Sequence, residues 1–89
     1  MKWEIRFSDE ALKELKKLDR YTIQLIDSWI NKHLENCDNP RSIGKPLTAN
    51  RTGQWRYRIG DYRLLCEIYD NVLLILVIKV GHRRGVYSK

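Results

Sequence analysis

The chain has 89 residues, enough for one hydrophobic core and too few for two. Hydrophobic residues make up 43% and charged residues 31%, which excludes a disordered tail or a collagen-like repeat and indicates a folded globule. Lys and Arg outnumber Asp and Glu by 17 to 11, a net charge of +6. The excess is confined to one half: residues 1–40 hold seven basic and eight acidic side chains, residues 41–89 ten basic and three acidic. That asymmetry predicts a polyanionic ligand, nucleic acid or an anionic membrane surface. No run of about 18 apolar residues occurs, and the opening MKWEIRFSDE lacks the apolar stretch of a signal peptide. The reading is a cytoplasmic protein with one domain, 1–89.

Residues 2–7 alternate Trp3, Ile5 and Phe7 with Lys2, Glu4 and Arg6, the period of a half-buried strand. Ser8 can cap a helix whose first turn carries Asp9 and Glu10, where negative charge suits the helix dipole. Leu12, Leu15 and Leu18 are expected to form its buried stripe. Asp19 reads as a second cap, and Ile23, Leu25, Ile26, Trp29, Ile30 and Leu34 recur at helical spacing until residues 36–40 halt the pattern. Residues 41–53 are polar and irregular. Residues 54–59 then alternate Trp55, Tyr57 and Ile59 with Gln54, Arg56 and Arg58. Gly60-Asp61 fits a two-residue type II′ turn into a strand at 62–69, and Asp70-Asn71 fits a second tight turn into 72–80. The last segment, VLLILVIKV, is apolar on both faces, as a central strand should be.

The fold class that follows is α+β with element order β-α-α-β-β-β: a four-stranded antiparallel sheet, spatial order 2-3-4-1, with a two-helix hairpin on one face. The first strand is set antiparallel to the fourth by a direction count in which the hairpin runs down the sheet and back up. The tight turn fixes register, with Ile59 opposing Tyr62, Arg58 opposing Arg63 and Arg56 opposing Leu65. One face then carries Trp55, Tyr57, Ile59, Leu64, Cys66, Ile68 and Ile75 and meets the helices. The other carries Arg56, Arg58 and Arg63.

Like charges directly opposed on a sheet destabilise it, so Arg58 facing Arg63 points to function rather than folding. The fourth strand should also deliver Gly81-His82-Arg83-Arg84-Gly85-Val86-Tyr87 to the edge of that pair. Guanidinium forks match phosphate oxygens and keep their charge. After residue 40 the only acidic residues are Asp61, Glu67 and Asp70, and His33 and His82 lie on different elements, so no metal site or cofactor is expected. Cys37 and Cys66 lack metal-ligand spacing and read as reduced core thiols. If nucleic acid is the substrate, RNA is favoured, because its 2′-hydroxyl is a nucleophile already adjacent to the phosphate. The arginines would neutralise charge developing on phosphorus, while His82 and Tyr87 have the proton chemistry that arginine lacks. His33 reads as a helix-face or capping contact.

These residues resemble the RelE/ParE superfamily of bacterial toxins, specifically its RelE-like mRNA interferase branch. The resemblance spans nearly the whole chain: FSDEALKELKKL near the start, GKPL before the sheet, QWRYRIGDYR across the strand pair and IKVGHRRGVY at the end. It implies the toxin of a type II toxin–antitoxin system, a ribosome-dependent endoribonuclease that cuts mRNA in the ribosomal A site by metal-independent 2′-hydroxyl attack and so inhibits translation. It also implies a cognate antitoxin, RelB-like or similar, encoded nearby, and an acidic segment covering or distorting the arginine face fits that role. The family's cleavage residues match Arg56, Arg58, Arg63, Arg83 and Tyr87, with His82 where other members use lysine. Lys45, Arg51 and Arg84 are expected to hold RNA. Gly85 departs from the acidic residue many relatives carry. The alternatives are a ParE-like DNA gyrase inhibitor without nuclease activity and an RNA-binding module without catalysis.

Overall fold

The computed structural model describes residues 2–82. Strand β1 (Glu4–Phe7) leads into α1 (Asp9–Lys16) and α2 (Arg20–Ile30), which continues through a π-helical turn at Asn31–Glu35. A 3₁₀ turn at Pro40–Ser42, the short strand β2 (Lys45–Pro46) and a 3₁₀ turn at Ala49–Arg51 then precede β3 (Trp55–Ile59), β4 (Tyr62–Tyr69) and β5 (Leu74–His82). The sheet order is β1-β5-β4-β3-β2. The α+β class is as expected, and the four predicted strands stand in their predicted order.

Local chemistry explains both helix starts. Ser8 Oγ accepts from Ala11 N at 3.1 Å. Asp19 accepts from Thr22 N at 3.3 Å and from the Thr22 hydroxyl at 2.5 Å, and the hydroxyl bond holds the Asp19 carboxyl below its ordinary range. Along α2 and its π turn, Thr22, Ile26, Ile30 and Leu34 are buried at helical spacing. They meet Tyr57, Ile59, Leu64, Cys66, Ile75, Val77 and Val80 from the sheet, with Trp3 closing the core. In α1 the expected stripe is corrected: Ala11 is fully buried, Leu15 and Leu18 are half-buried, and Leu12 is 39% exposed. Cys66 lies in the core and Cys37 is half-buried, and both are free thiols.

Three further sequence expectations need correction. β1 pairs with β5 in parallel, from Glu4 opposite Leu74 to Phe7 opposite Val77. The direction count failed because α1 does not fold back along β1. It runs on beside β5, where Glu10 and Glu14 bond Lys79 and Val80, beyond the last β1 pair. The α2 segment alone makes the return, ending where Glu35 O accepts from Trp3 N at 2.8 Å. The chain is thus back at the level where β1 began, and β3 runs in the same sense as β1.

The sheet also has a fifth strand, β2, with Lys45 opposite Arg56 and Pro46 opposite Trp55. Its cause is a close approach at Gly44, whose φ is +78°; a Cβ there would overlap Arg56 O and sit 2.8 Å from Trp55 Nε1. The indole instead donates to Ile43 O at 2.7 Å. Finally, the Asp70-Asn71 turn is longer than expected. Asp70–Val72 form a 3₁₀ turn, Leu73 takes φ +50°, and β5 starts at Leu74 rather than at residue 72. The other turn fits its reading: Gly60 has φ +57° and Asp61 keeps a negative φ, as type II′ requires. Among the described residues no helix is long and apolar enough to cross a membrane.

Candidate nucleic-acid interface

The short Gly60-Asp61 turn leaves β3 and β4 no freedom to slip, and the register is the one the sequence predicts. Arg58 is opposite Arg63, Arg56 opposite Leu65 and Ile59 opposite Tyr62. Directly opposed residues of an antiparallel pair share a face. Lys45, Arg56, Arg58 and Arg63 therefore share the face away from the helices, since Lys45 opposes Arg56.

Burial differs sharply within this set. Arg58 and Lys45 are exposed and Arg56 is half-buried, but Arg63 is only 7% exposed. Leu65, two residues on and fully buried, shares that face and lies outside the main hydrophobic cluster. A cation held this far from solvent beside a second cation is costly in a medium of reduced dielectric. Gly81 lies opposite Arg63 on the other flank and brings no side chain to the face.

Two acidic residues of this half make contacts near the far end of β4. Asp70 accepts from Arg41 Nη1 at 2.9 Å, a contact that lowers the Asp70 pKa and raises that of Arg41. Glu67 accepts from the Tyr69 hydroxyl at 2.6 Å, which raises the Tyr69 phenol. Both carboxylates belong to the end of β4 remote from Arg63. Asp61 is in the turn beside the arginine rung.

His82 is placed differently from the sequence reading. It opposes Tyr62 in the next rung, and the two rings meet edge to face at 5.7 Å and 79°. Tyr62 shares its rung with the buried Ile59 and packs on the core. The imidazole thus belongs to the helix side of the sheet end, across the sheet from Arg58 and Arg63. Arg51 is also separate: its Nη1 donates to Gln54 Oε1 at 3.1 Å, and its charge helps to lower the Glu10 pKa behind the larger effect of Lys79. His33 stacks on Trp29 at 4.8 Å, the helix-face contact expected. Arg83, Arg84 and Tyr87 lie outside the described residues.

Sequence reasoning missed Glu10, Glu14 and Lys79, which join α1 to β5. The signal was present: a lysine inside the apolar run VLLILVIKV needs a carboxylate, and the two glutamates are spaced to share a helix face.

The fold and the arginine-bearing sheet face define a class, and comparison with known proteins gives the same one. Residues 5–87 match the family model described as the ParE toxin of the type II toxin–antitoxin system parDE. The chain belongs to this family, within the RelE/ParE superfamily, and is a type II toxin of RelE type. It is 29% identical to Toxin RelG of Mycobacterium tuberculosis over 89 residues, covering all of both chains. It is 31% identical to a putative RelE-like toxin protein of Escherichia coli over 84 residues, 93% of this chain and 85% of the relative. Among solved structures, the toxin–antitoxin complex RelBE2 of M. tuberculosis matches with a TM-score of 0.84 and 29% identity, over 93% of this chain and all of the other. The isolated E. coli RelE toxin has the same fold, with a TM-score of 0.70 at 22% identity over 90% of this chain and 83% of the other.

Proposed function

We propose that the protein is a ribosome-dependent mRNA endonuclease whose phosphate site is the Arg58–Arg63 rung flanked by Arg56. The observation that carries this reading is the direct opposition of two arginines, one of them buried, on the face away from the core. Membership of a toxin family and likeness to RelE-type relatives support it.

In the proposed reaction the RNA 2′-hydroxyl attacks the adjacent phosphorus, the bond from phosphorus to the 5′-oxygen breaks, and a 2′,3′-cyclic phosphate and a 5′-hydroxyl end result. The 2′ proton leaves to a base and the 5′-oxygen gains a proton from an acid. The nucleophile comes with the substrate, so no resident metal or cofactor is required. Arg56, Arg58 and Arg63 stabilise the extra negative charge of the pentacoordinate phosphorus. An in-line displacement separates the two proton transfers to opposite sides of phosphorus. We assign proton transfer to the segment holding Arg83 and Tyr87; His82, on the opposite face of the sheet from the rung, is given no transfer. Lys45, with Arg51 and Arg84, contributes contacts to flanking phosphates.

Activity on translating ribosomes implies a cytoplasmic site of action. We also infer a cognate antitoxin, since the M. tuberculosis RelBE2 structure is a toxin–antitoxin complex. A second reading, inhibition of DNA gyrase, is favoured by the ParE description of the matching family model. Purified protein is added to ribosomes translating a defined message, and new 5′ ends are mapped by primer extension. The expected result is cutting in the A site, lowered roughly 100-fold by Arg63→Ala or Arg58→Ala. An uncut message with gyrase supercoiling blocked would replace this reading by the second, and wild-type cutting by both variants would remove the arginine rung from it.

A further inference from the structure

β1 covers only part of the edge of β5, because its last pair is Phe7 with Val77. The backbone of residues 78–82 would otherwise present a bare edge, the feature that invites pairing with other chains. α1 fills that place. Ser8 N donates to Val77 O at 2.9 Å, Ser8 Oγ to Ile78 O at 3.2 Å, and Val80 N to Glu14 Oε1 at 2.7 Å. Lys79 Nζ bonds Glu10 Oε2 at 2.7 Å and Glu14 Oε2 at 3.2 Å, with its side chain 12% exposed.

These contacts fall on an irregularity in the ladder. Cys66 opposes Val77, but the next residue of β4, Leu65, opposes Lys79, so Ile78 is an extra residue, a β-bulge. The bulge sets the phase of everything beyond it. With it, Val80 is buried in the core, Gly81 opposes Arg63 and His82 opposes Tyr62. A regular ladder would put Lys79 opposite the buried Leu64 and Val80 opposite Arg63, moving an ammonium group into the core and a branched side chain onto the arginine face. In the bulged register the carboxylates of Glu10 and Glu14 both bond Lys79.

We propose that Glu14, acting with Lys79, is a positioning residue for the nuclease site: it locks the bulged register and so keeps Gly81, rather than the branched Val80, opposite Arg63. This rests on the nuclease reading above. The bonds described join Lys79 to Glu10 and Glu14, and Glu14 to the Val80 amide, so the effect is transmitted through the strand.

The test compares wild type, Glu14→Ala, Glu14→Gln and Lys79→Met, each at a temperature where circular dichroism shows it fully folded. Glutamine keeps an oxygen for Val80 N, and alanine does not. We expect Glu14→Ala and Lys79→Met to lower kcat for ribosomal mRNA cleavage roughly 10- to 100-fold with KM within about twofold, and Glu14→Gln to stay within about threefold of wild type. A loss of stability alone would not split kcat from KM or be rescued by glutamine. In parallel, hydrogen exchange at the Val80 amide and the Gly81 and His82 amide resonances are followed by NMR. Lost protection and shifted resonances in the alanine variant, restored in the glutamine variant, support the clamp. Wild-type kcat in Glu14→Ala overturns the proposal while leaving the nuclease reading intact. If wild-type protein cuts no message, the nuclease reading fails, and with it any role of the clamp in cutting; unchanged amide exchange in Glu14→Ala would separately refute the clamp itself.

Discussion

Gly44→Ala isolates the contact that creates β2. Gly44 has φ +78°, and an added Cβ would overlap Arg56 O and lie 2.8 Å from Trp55 Nε1 and 2.9 Å from Tyr57 Cδ1. The carbonyl belongs to strand backbone and cannot swing away as a side chain would. A left-handed backbone costs a non-glycine residue about 1–2 kcal/mol. Relief of the overlap requires residues 43–46 to lift from β3, which gives up the bond from Trp55 to Ile43 O and the β2 pairing, about 1 kcal/mol for each such hydrogen bond. The total is about 3–4 kcal/mol, or roughly 12–30 °C in Tm for a domain of this size. Gly53→Ala is the control, because Gly53 has φ +97° with nothing within 4 Å of its Cβ position. It should show the backbone cost alone, about 1–2 kcal/mol. Urea unfolding of both variants at pH 7 measures the difference, and values agreeing within about 0.5 kcal/mol would mean that close approach does not build β2.

Tyr57→Phe removes the donor to Pro40 O, a 2.5 Å bond at a fully buried phenol, and should cost about 1–3 kcal/mol in the same urea assay; a neutral result would show that water replaces the hydroxyl. Glu10, Asp19 and Asp70 all have lowered pKa values, through Lys79, the Thr22 hydroxyl and Arg41 respectively. A carboxyl depressed in the fold stabilises it above the unfolded value and loses that contribution as pH falls through the folded one. The urea midpoint should therefore hold from pH 7 to about 5 and drop below about 4, and a midpoint that rises on acidification would contradict these contacts. Burial pushes both thiols up, with Cys66 the more enclosed. A disulfide reagent at pH 8 should label Cys37 first and Cys66 only as fast as the protein opens; rapid labelling of Cys66 would place it outside the core.

Sequence legibility followed the range of the controlling interaction. The β3–β4 register was readable because Gly60-Asp61 is a two-residue turn, and once it is fixed the period of two leaves no choice for Arg56, Arg58 and Arg63. Both helix caps were readable because Ser8 and Asp19 act within three residues of themselves. The direction of β1 was not, since it depends on Glu10 and Glu14 of α1 meeting Lys79 and Val80 some 65–70 positions away. The face of His82 was lost for a related reason. A strict alternation counted along β5 is reversed once Ile78 is extra, and nothing in VLLILVIKV marks the bulge. β2 is a two-residue strand held by a glycine contact with no periodicity to detect.

The parallel seam between β1 and β5 joins segments about 70 residues apart, so β5 follows β1 in synthesis by that length of chain. Loop closure across that distance is slow, and β5, paired on both sides, emerges after every other strand of the sheet. During its own translation the nascent polypeptide therefore holds Glu4–Phe7 unzipped, and the arginine rung on β3 and β4 has no finished neighbour until β5 arrives. A type II toxin built this way completes its arginine-bearing sheet only once β5 has emerged.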